Sequence, residues 1–83
     1  MKVINEYHLK PKGSQKSFGG KAIVKEYENG DRILFSYLTP VLKQTKEGEL
    51  IRLWNGYSNT TGRHIKSFAG ITGNHFKNME VIK

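Results

Sequence analysis

"KAIVKEYENGDRILFSYL", residues 21–38, sets the architecture of this chain. Two apolar-rich runs of strand length flank Asn29-Gly30. Asn-Gly suits a two-residue type I′ turn, whose central residues both need positive φ. That loop sets Glu28 opposite Asp31, Val24 opposite Phe35 and Ala22 opposite Tyr37. One face then gathers Ala22, Val24, Ile33, Phe35 and Tyr37. The other carries Ile23, Lys25, Tyr27, Arg32, Leu34 and Leu38. The second strand is apolar on both sides, which places it inside a sheet.

Downstream, Thr39-Pro40 bends the chain, because Pro40 cannot donate to a ladder. "VLKQTKEGELIRLW", residues 41–54, reads as a second hairpin turning near Glu47-Gly48. A two-residue loop there opposes Lys43 to Arg52 and Val41 to Trp54. Like charges directly opposed are unfavourable. Either the register differs, or the two cations await an anion. Asn55-Gly56 ends the strand. Ser58, Asn59 or Thr60 caps a helix that runs to about Ala69, with Gly70 as its stop. Thr61, Ile65, Phe68 and Ala69 share one helix face, and Arg63, Lys66 and Ser67 point away. His64 lies at the boundary, and Gly62, near the buried side, permits close approach. Trp54, Ile65 and Phe68 pack the helix on the sheet. Tyr37 is the tyrosine expected in the core, and Tyr57 the one expected outside.

Upstream, Val3, Tyr7 and Leu9 at period-two spacing predict a short strand. Residues 10–21 form a flexible basic loop. The tail, 70–83, offers Phe76, Met79 and Val81 for a turn or short helix and a last strand. The fold class expected is α+β: a small antiparallel sheet of about four strands, with two hairpins and one helix packed on one face. With 83 residues the chain is read as a single domain, 1–83, with a small core.

The net charge is +7, and it is unevenly placed. Residues 1–21 carry five lysines against Glu6, residues 22–62 five cations against five acids, and residues 63–83 four cations against Glu80. If the two ends meet, they make a patch that attracts polyanions. The alternative is a basic leader plus a solvated helix face. Chemistry is less well provided for. No cysteine is present, and His8, His64 and His75 lack the i+3 or i+4 histidine partner of a zinc site. Glycines 13 and 20 are wrongly spaced for a phosphate loop. No serine has a nucleophile-elbow context. The carboxylates cluster at hairpin tips. The expectation is a non-enzymatic protein without cofactor or metal. With no apolar run long enough to span a bilayer and no secretory h-region at the start, a cytoplasmic location is expected.

The stretch 17–41, a short acidic-Gly turn, and "IRLWNGYSNTTGRHIKSF", 51–68, together resemble a family of small proteins encoded by phages and mobile elements of Gram-positive and gut bacteria. That family typically shows a "Y-G-K-A" start, a "YSY-T-VA" strand and an "R-WxGYSxTTxRHIxxF" block. The matching residues are Lys21, Ala22, Tyr37, Thr39, Val41, Arg52, Trp54, Gly56, Tyr57, Ser58, Thr60, Thr61, Arg63, His64, Ile65 and Phe68. Gly20, Gly62 and the divergent tail depart from the pattern. The resemblance implies a phage or mobile-element origin in a bacterial host cell and supplies no catalytic residue.

Two functions are therefore expected. The first is a stoichiometric binder of a host protein or ribonucleoprotein complex that handles nucleic acid or defends the cell, an anti-CRISPR-like inhibitor. The second is a small basic DNA- or RNA-binding regulator. A self-associating virion component or homodimer is a third option. In either of the first two, Arg52, Tyr57, Arg63, His64, Lys66, Lys16 and Lys21 are the residues expected to meet the partner.

Overall fold

A computed structural model describes residues 2–9 and 21–81. Lys16 and the rest of the basic loop at 10–20 lie outside the described residues. Five strands, β1 (Val3–His8), β2 (Ala22–Tyr27), β3 (Arg32–Ser36), β4 (Thr39–Gln44) and β5 (Leu50–Arg52), precede α1 (Asn59–Ala69) and α2 (Gly73–Lys77). The strands form one antiparallel meander in the order β1-β2-β3-β4-β5. β3 is central, as its two apolar sides require. The sheet has five strands against the about four expected, and the short strand expected over 2–9 forms as β1 on the free edge of β2. The tail contributes a second helix, and Val81 bridges Arg52 in parallel.

The first hairpin forms at the expected place in a different register. Ala22 pairs with Ser36, Val24 with Leu34 and Glu26 with Arg32. The loop has three residues, Glu28 to Gly30. The Tyr27 N–H donates to the Asp31 carbonyl (2.9 Å), and Gly30 takes φ +95, the left-handed position that three-residue hairpins give to glycine. Asn29 holds this form by accepting from the Asp31 N–H and donating to the Asp31 carboxylate. A one-residue slip transfers every side chain to the opposite face. The helix-covered face is therefore Ala22, Val24, Leu34 and Ser36, all buried. Ile33, Phe35 and Tyr37, expected there, are not.

The second hairpin repeats this solution with Lys46 to Gly48 as its loop. The Thr45 N–H donates to the Glu49 carbonyl (2.8 Å), and Gly48 has φ +90. Lys43 then lies opposite Ile51, and Arg52 opposite Leu42. The opposed cations disappear, and Lys43 pairs with Asp31 at 3.1 Å.

The two-residue turn occurs instead between β3 and β4, at Tyr37-Leu38. Ser36 pairs with Thr39, and the two intervening residues have φ 53 and 71. Positive φ at both centres is the type I′ requirement, met here without glycine or asparagine at a cost of about 1–2 kcal/mol per residue. Pro40 does not bend the chain out of the sheet. It sits in β4 opposite Phe35, beside a register shift, where the missing N–H is tolerated. The shift lets Val41 and Leu42 both be buried.

α1 has the bounds its caps dictate. Ser58 Oγ accepts from the Thr61 N–H, and Gly70, at φ 75, closes the helix by donating to the Lys66 carbonyl. Ile65 and Phe68 join Ala22, Val24, Leu34, Val41, Leu42 and Phe76 in the core. Phe76, fully buried, is how α2 is held on the domain. Trp54 packs partly buried at the edge of this cluster.

Candidate functional site

Arg52 closes β5 and is buried. Its Nε donates to the Trp54 carbonyl (2.8 Å), Nη1 to the carbonyls of Lys77 (3.1 Å) and Met79 (3.2 Å), and Nη2 to that of Gly56 (3.2 Å). The guanidinium also lies 4.3 Å from the centre of the Phe76 ring. The cation is thus neutralised by carbonyl dipoles at the end of α2 and in the tail. It ties strand, connector and tail together and presents no fork to a partner.

The residues after it are similarly committed. The space a side chain would need at Gly56 is filled by the Trp54 indole, with Cζ2 2.5 Å from an ideal Cβ. Tyr57 is half-buried, not exposed. Its ring threads between Gly62 of α1 and Gly73 of α2, and a Cβ at either position would fall on its hydroxyl. The Lys77 ammonium lies 4.8 Å over the same ring. Close approach at Gly62 is expected from the sequence, but nothing in the chain ties Gly62 or Gly73 to Tyr57.

His64 is fully buried, and its Nδ1 lies 2.8 Å from Ser36 Oγ. Ser36 Oγ lies 3.1 Å from Thr61 Oγ1, which accepts from Ser58 Oγ (3.0 Å). With Nδ1 accepting, one proton direction runs through the row, from Ser58 through Thr61 and Ser36 to His64. Burial, and next the charge of Lys21, hold His64 below the usual histidine range, so the ring is neutral at pH 7. A hydroxyl at hydrogen-bond distance from an imidazole is the arrangement of an activated nucleophile. Here Ser36 is only 3% exposed, and the pair is enclosed between sheet and helix. The row links the helix start to the centre of the sheet.

The outward side chains are others. Arg63 and Lys66 are exposed on α1, as expected, and Lys21 is exposed where β2 begins. The Lys21 ammonium lies 5.4 Å over the Tyr37 ring. Tyr37, expected in the core, is half-exposed, and its inner side meets His64 with ring centroids 6.0 Å apart. Leu38 is 83% exposed. Lys21, Ile23, Tyr37 and Leu38 line an open pocket of about 270 Å³. The one-residue slip of the first hairpin is what moves Tyr37 out and makes this apolar tip beside a cation. Arg63, Lys66, Lys21 and the tip are therefore the accessible part of the site expected from sequence, while Arg52 and His64 are interior.

Among the described residues no group of three or more His, Cys, Asp or Glu side chains could hold a metal ion. No described helix is long and apolar enough to cross a membrane. No curated protein and no solved structure matches this chain. Residues 7–81 match the model of a family of unknown function, DUF8033, and the chain belongs to that family.

Proposed function

We propose that this chain is a non-enzymatic accessory protein of a phage or mobile element that binds stoichiometrically to a host nucleic-acid-handling or defence complex in the bacterial cytoplasm, in the manner of an anti-CRISPR inhibitor. One observation carries the reading. The side chains with chemical potential, Arg52, Ser36 and His64, are buried in packing, whereas an apolar tip and the cations Lys21, Arg63 and Lys66 face outward. Such a surface suits recognition. Apolar anchors supply affinity, and surrounding cations select and steer towards an acidic partner. The test is capture by tagged protein from a host that expresses a defence complex, followed by the mass of the isolated assembly. A fixed-ratio complex with such an effector is the expected result, and recovery of no nucleic-acid-handling or defence protein would refute the proposal.

The second reading, a small DNA- or RNA-binding regulator, is favoured by the net charge of +7. It predicts a mobility shift that weakens steeply with salt and is lost in the double variant Arg63→Ala/Lys66→Ala. Arg52→Ala is unsuitable for that experiment, because it attacks the fold.

A further inference from the structure

We infer that the Tyr37-Leu38 turn is a docking tip for an acidic, apolar segment of a partner protein. An aliphatic or aromatic side chain of the partner seats against Leu38, Tyr37 and Ile23, and a neighbouring carboxylate pairs with Lys21. This deepens the reading of the chain as a protein binder and rests on it.

Three observations converge on the tip. First, the backbone is strained there: φ is 53 at Tyr37 and 71 at Leu38. Asn-Gly would make the same turn without strain, so these side chains persist against the local backbone preference, and such outliers gather at ligand clamps. Second, among the described residues Leu38 is more exposed than Ile4, Tyr37 or Val3, which are also exposed large apolar side chains, and an open pocket of about 270 Å³ lies beside it. Third, Lys21 borders that pocket and, among the described residues, makes no ion pair. Its carbonyl accepts from the Tyr37 N–H (2.9 Å), which fixes cation and tip relative to one another.

The turn is also stiffly mounted. Ser36, immediately before it, is bonded to both His64 and Thr61 in the interior. An element already held in its bound shape loses little entropy on association. The chemistry of the tip selects a protein over a nucleic acid. The Tyr37 ring already meets the Lys21 ammonium (5.4 Å) and His64 (6.0 Å), so the most open part of the tip is Leu38, and a leucine beside one cation matches an apolar residue next to a carboxylate.

The inference is tested by NMR titration of the ¹⁵N-labelled full chain with a short peptide alternating Asp or Glu with Leu and Phe. The same peptide with Asn and Gln in place of the acids, and a short oligothymidylate, serve as comparisons. The acidic peptide should shift the amides of Lys21, Ile23, Tyr37 and Leu38, and the amidated peptide should not. Leu38→Gly should weaken binding by about tenfold or more, as expected for losing one buried leucine. Its melting temperature should hold or rise, because glycine accepts positive φ. The inference is overturned if those amides do not move, if Leu38→Gly binds as before, or if oligothymidylate moves them and the peptide does not. Peptide binding with no capture of a host complex would sink the proposed function and leave the tip standing. Host capture unaffected by Leu38→Gly would do the reverse.

Discussion

Gly62→Ala should destabilise this protein, although the same change in most helices does the opposite. In a helix interior, alanine is favoured over glycine by about 1 kcal/mol. At position 62 the added Cβ would land on the Tyr57 hydroxyl, with the ring's Cζ at 2.9 Å and Cε1 at 3.2 Å. The ring has little room to withdraw. On its other side Gly73 stands equally close, with Cζ 2.7 Å from an ideal Cβ there. Phe76 packs against the ring with centroids 6.4 Å apart. Overpacking at a well-filled site costs about 1–3 kcal/mol. So close an overlap falls in the upper part of that range, about 2–3 kcal/mol, and after the propensity gain a net loss of about 1–2 kcal/mol remains. For a domain of this size that lowers the melting temperature by roughly 5–15 °C. Urea unfolding followed by Trp54 fluorescence, with circular dichroism melts alongside, measures it. Tyr57→Phe removes the atom of closest approach, so Gly62→Ala should cost much less in that background, with a coupling of about 1 kcal/mol. If Gly62→Ala instead stabilises by the ordinary helix increment, or its cost is unchanged by Tyr57→Phe, the tyrosine does not lie between the two helices.

Two further outcomes follow from the interior polar groups. Burial depresses the pKa of His64 in the folded chain below the ordinary histidine value of about 6.5, so the unfolded chain binds its proton more readily. Stability should therefore fall as pH drops through about 6.5 towards the folded pKa; thermal melts across that window should show the decline, and His64→Gln should flatten it. Arg52→Met should cost at least about 2 kcal/mol, because buried carbonyls lose their donors, and denaturant titration should show the loss with or without any partner present.

The fold was legible where local chemistry alone decides. Ser58 and Gly70 bound α1 through their own side chain and φ, and β3 is central because both its sides are apolar. The register was not legible, since a two-residue and a three-residue loop at Asn29-Gly30 differ by one residue. The choice rests on the Asn29–Asp31 hydrogen bonds and on which face the helix covers. That single residue moves Tyr37, expected in the core, out to the surface. The real two-residue turn was hidden for the opposite reason: Tyr-Leu is the wrong sequence for it. Arg52 and His64 look like surface groups in a sequence because polar residues usually are. Their burial depends on carbonyls of Lys77 and Met79 and on Ser36, all at least 25 residues away in the chain.

The block from Trp54 to His64 therefore builds the fold, and recognition has to be sought in the residues it leaves outside. Arg63 and Lys66 separate the two roles most cleanly. Both are exposed on α1, and neither forms an ion pair among the described residues. Arg63→Glu should change stability by no more than about 0.5 kcal/mol, as surface substitutions usually do. Lys66 lies in the last turn of α1, where a cation offsets the helix dipole, so Lys66→Glu should cost somewhat more, up to about 1 kcal/mol. Binding to an acidic partner should respond far more strongly. Replacing two cations by two anions turns attraction into repulsion, and the loss should appear mainly in the association rate and at low salt. Measuring both the melting temperature and the association rate of the double variant decides the matter. A rate that falls while the fold holds assigns the outer face of α1 to recognition. An unchanged rate confines the partner to the Tyr37-Leu38 side of the molecule and leaves the helix cations as a solvated face.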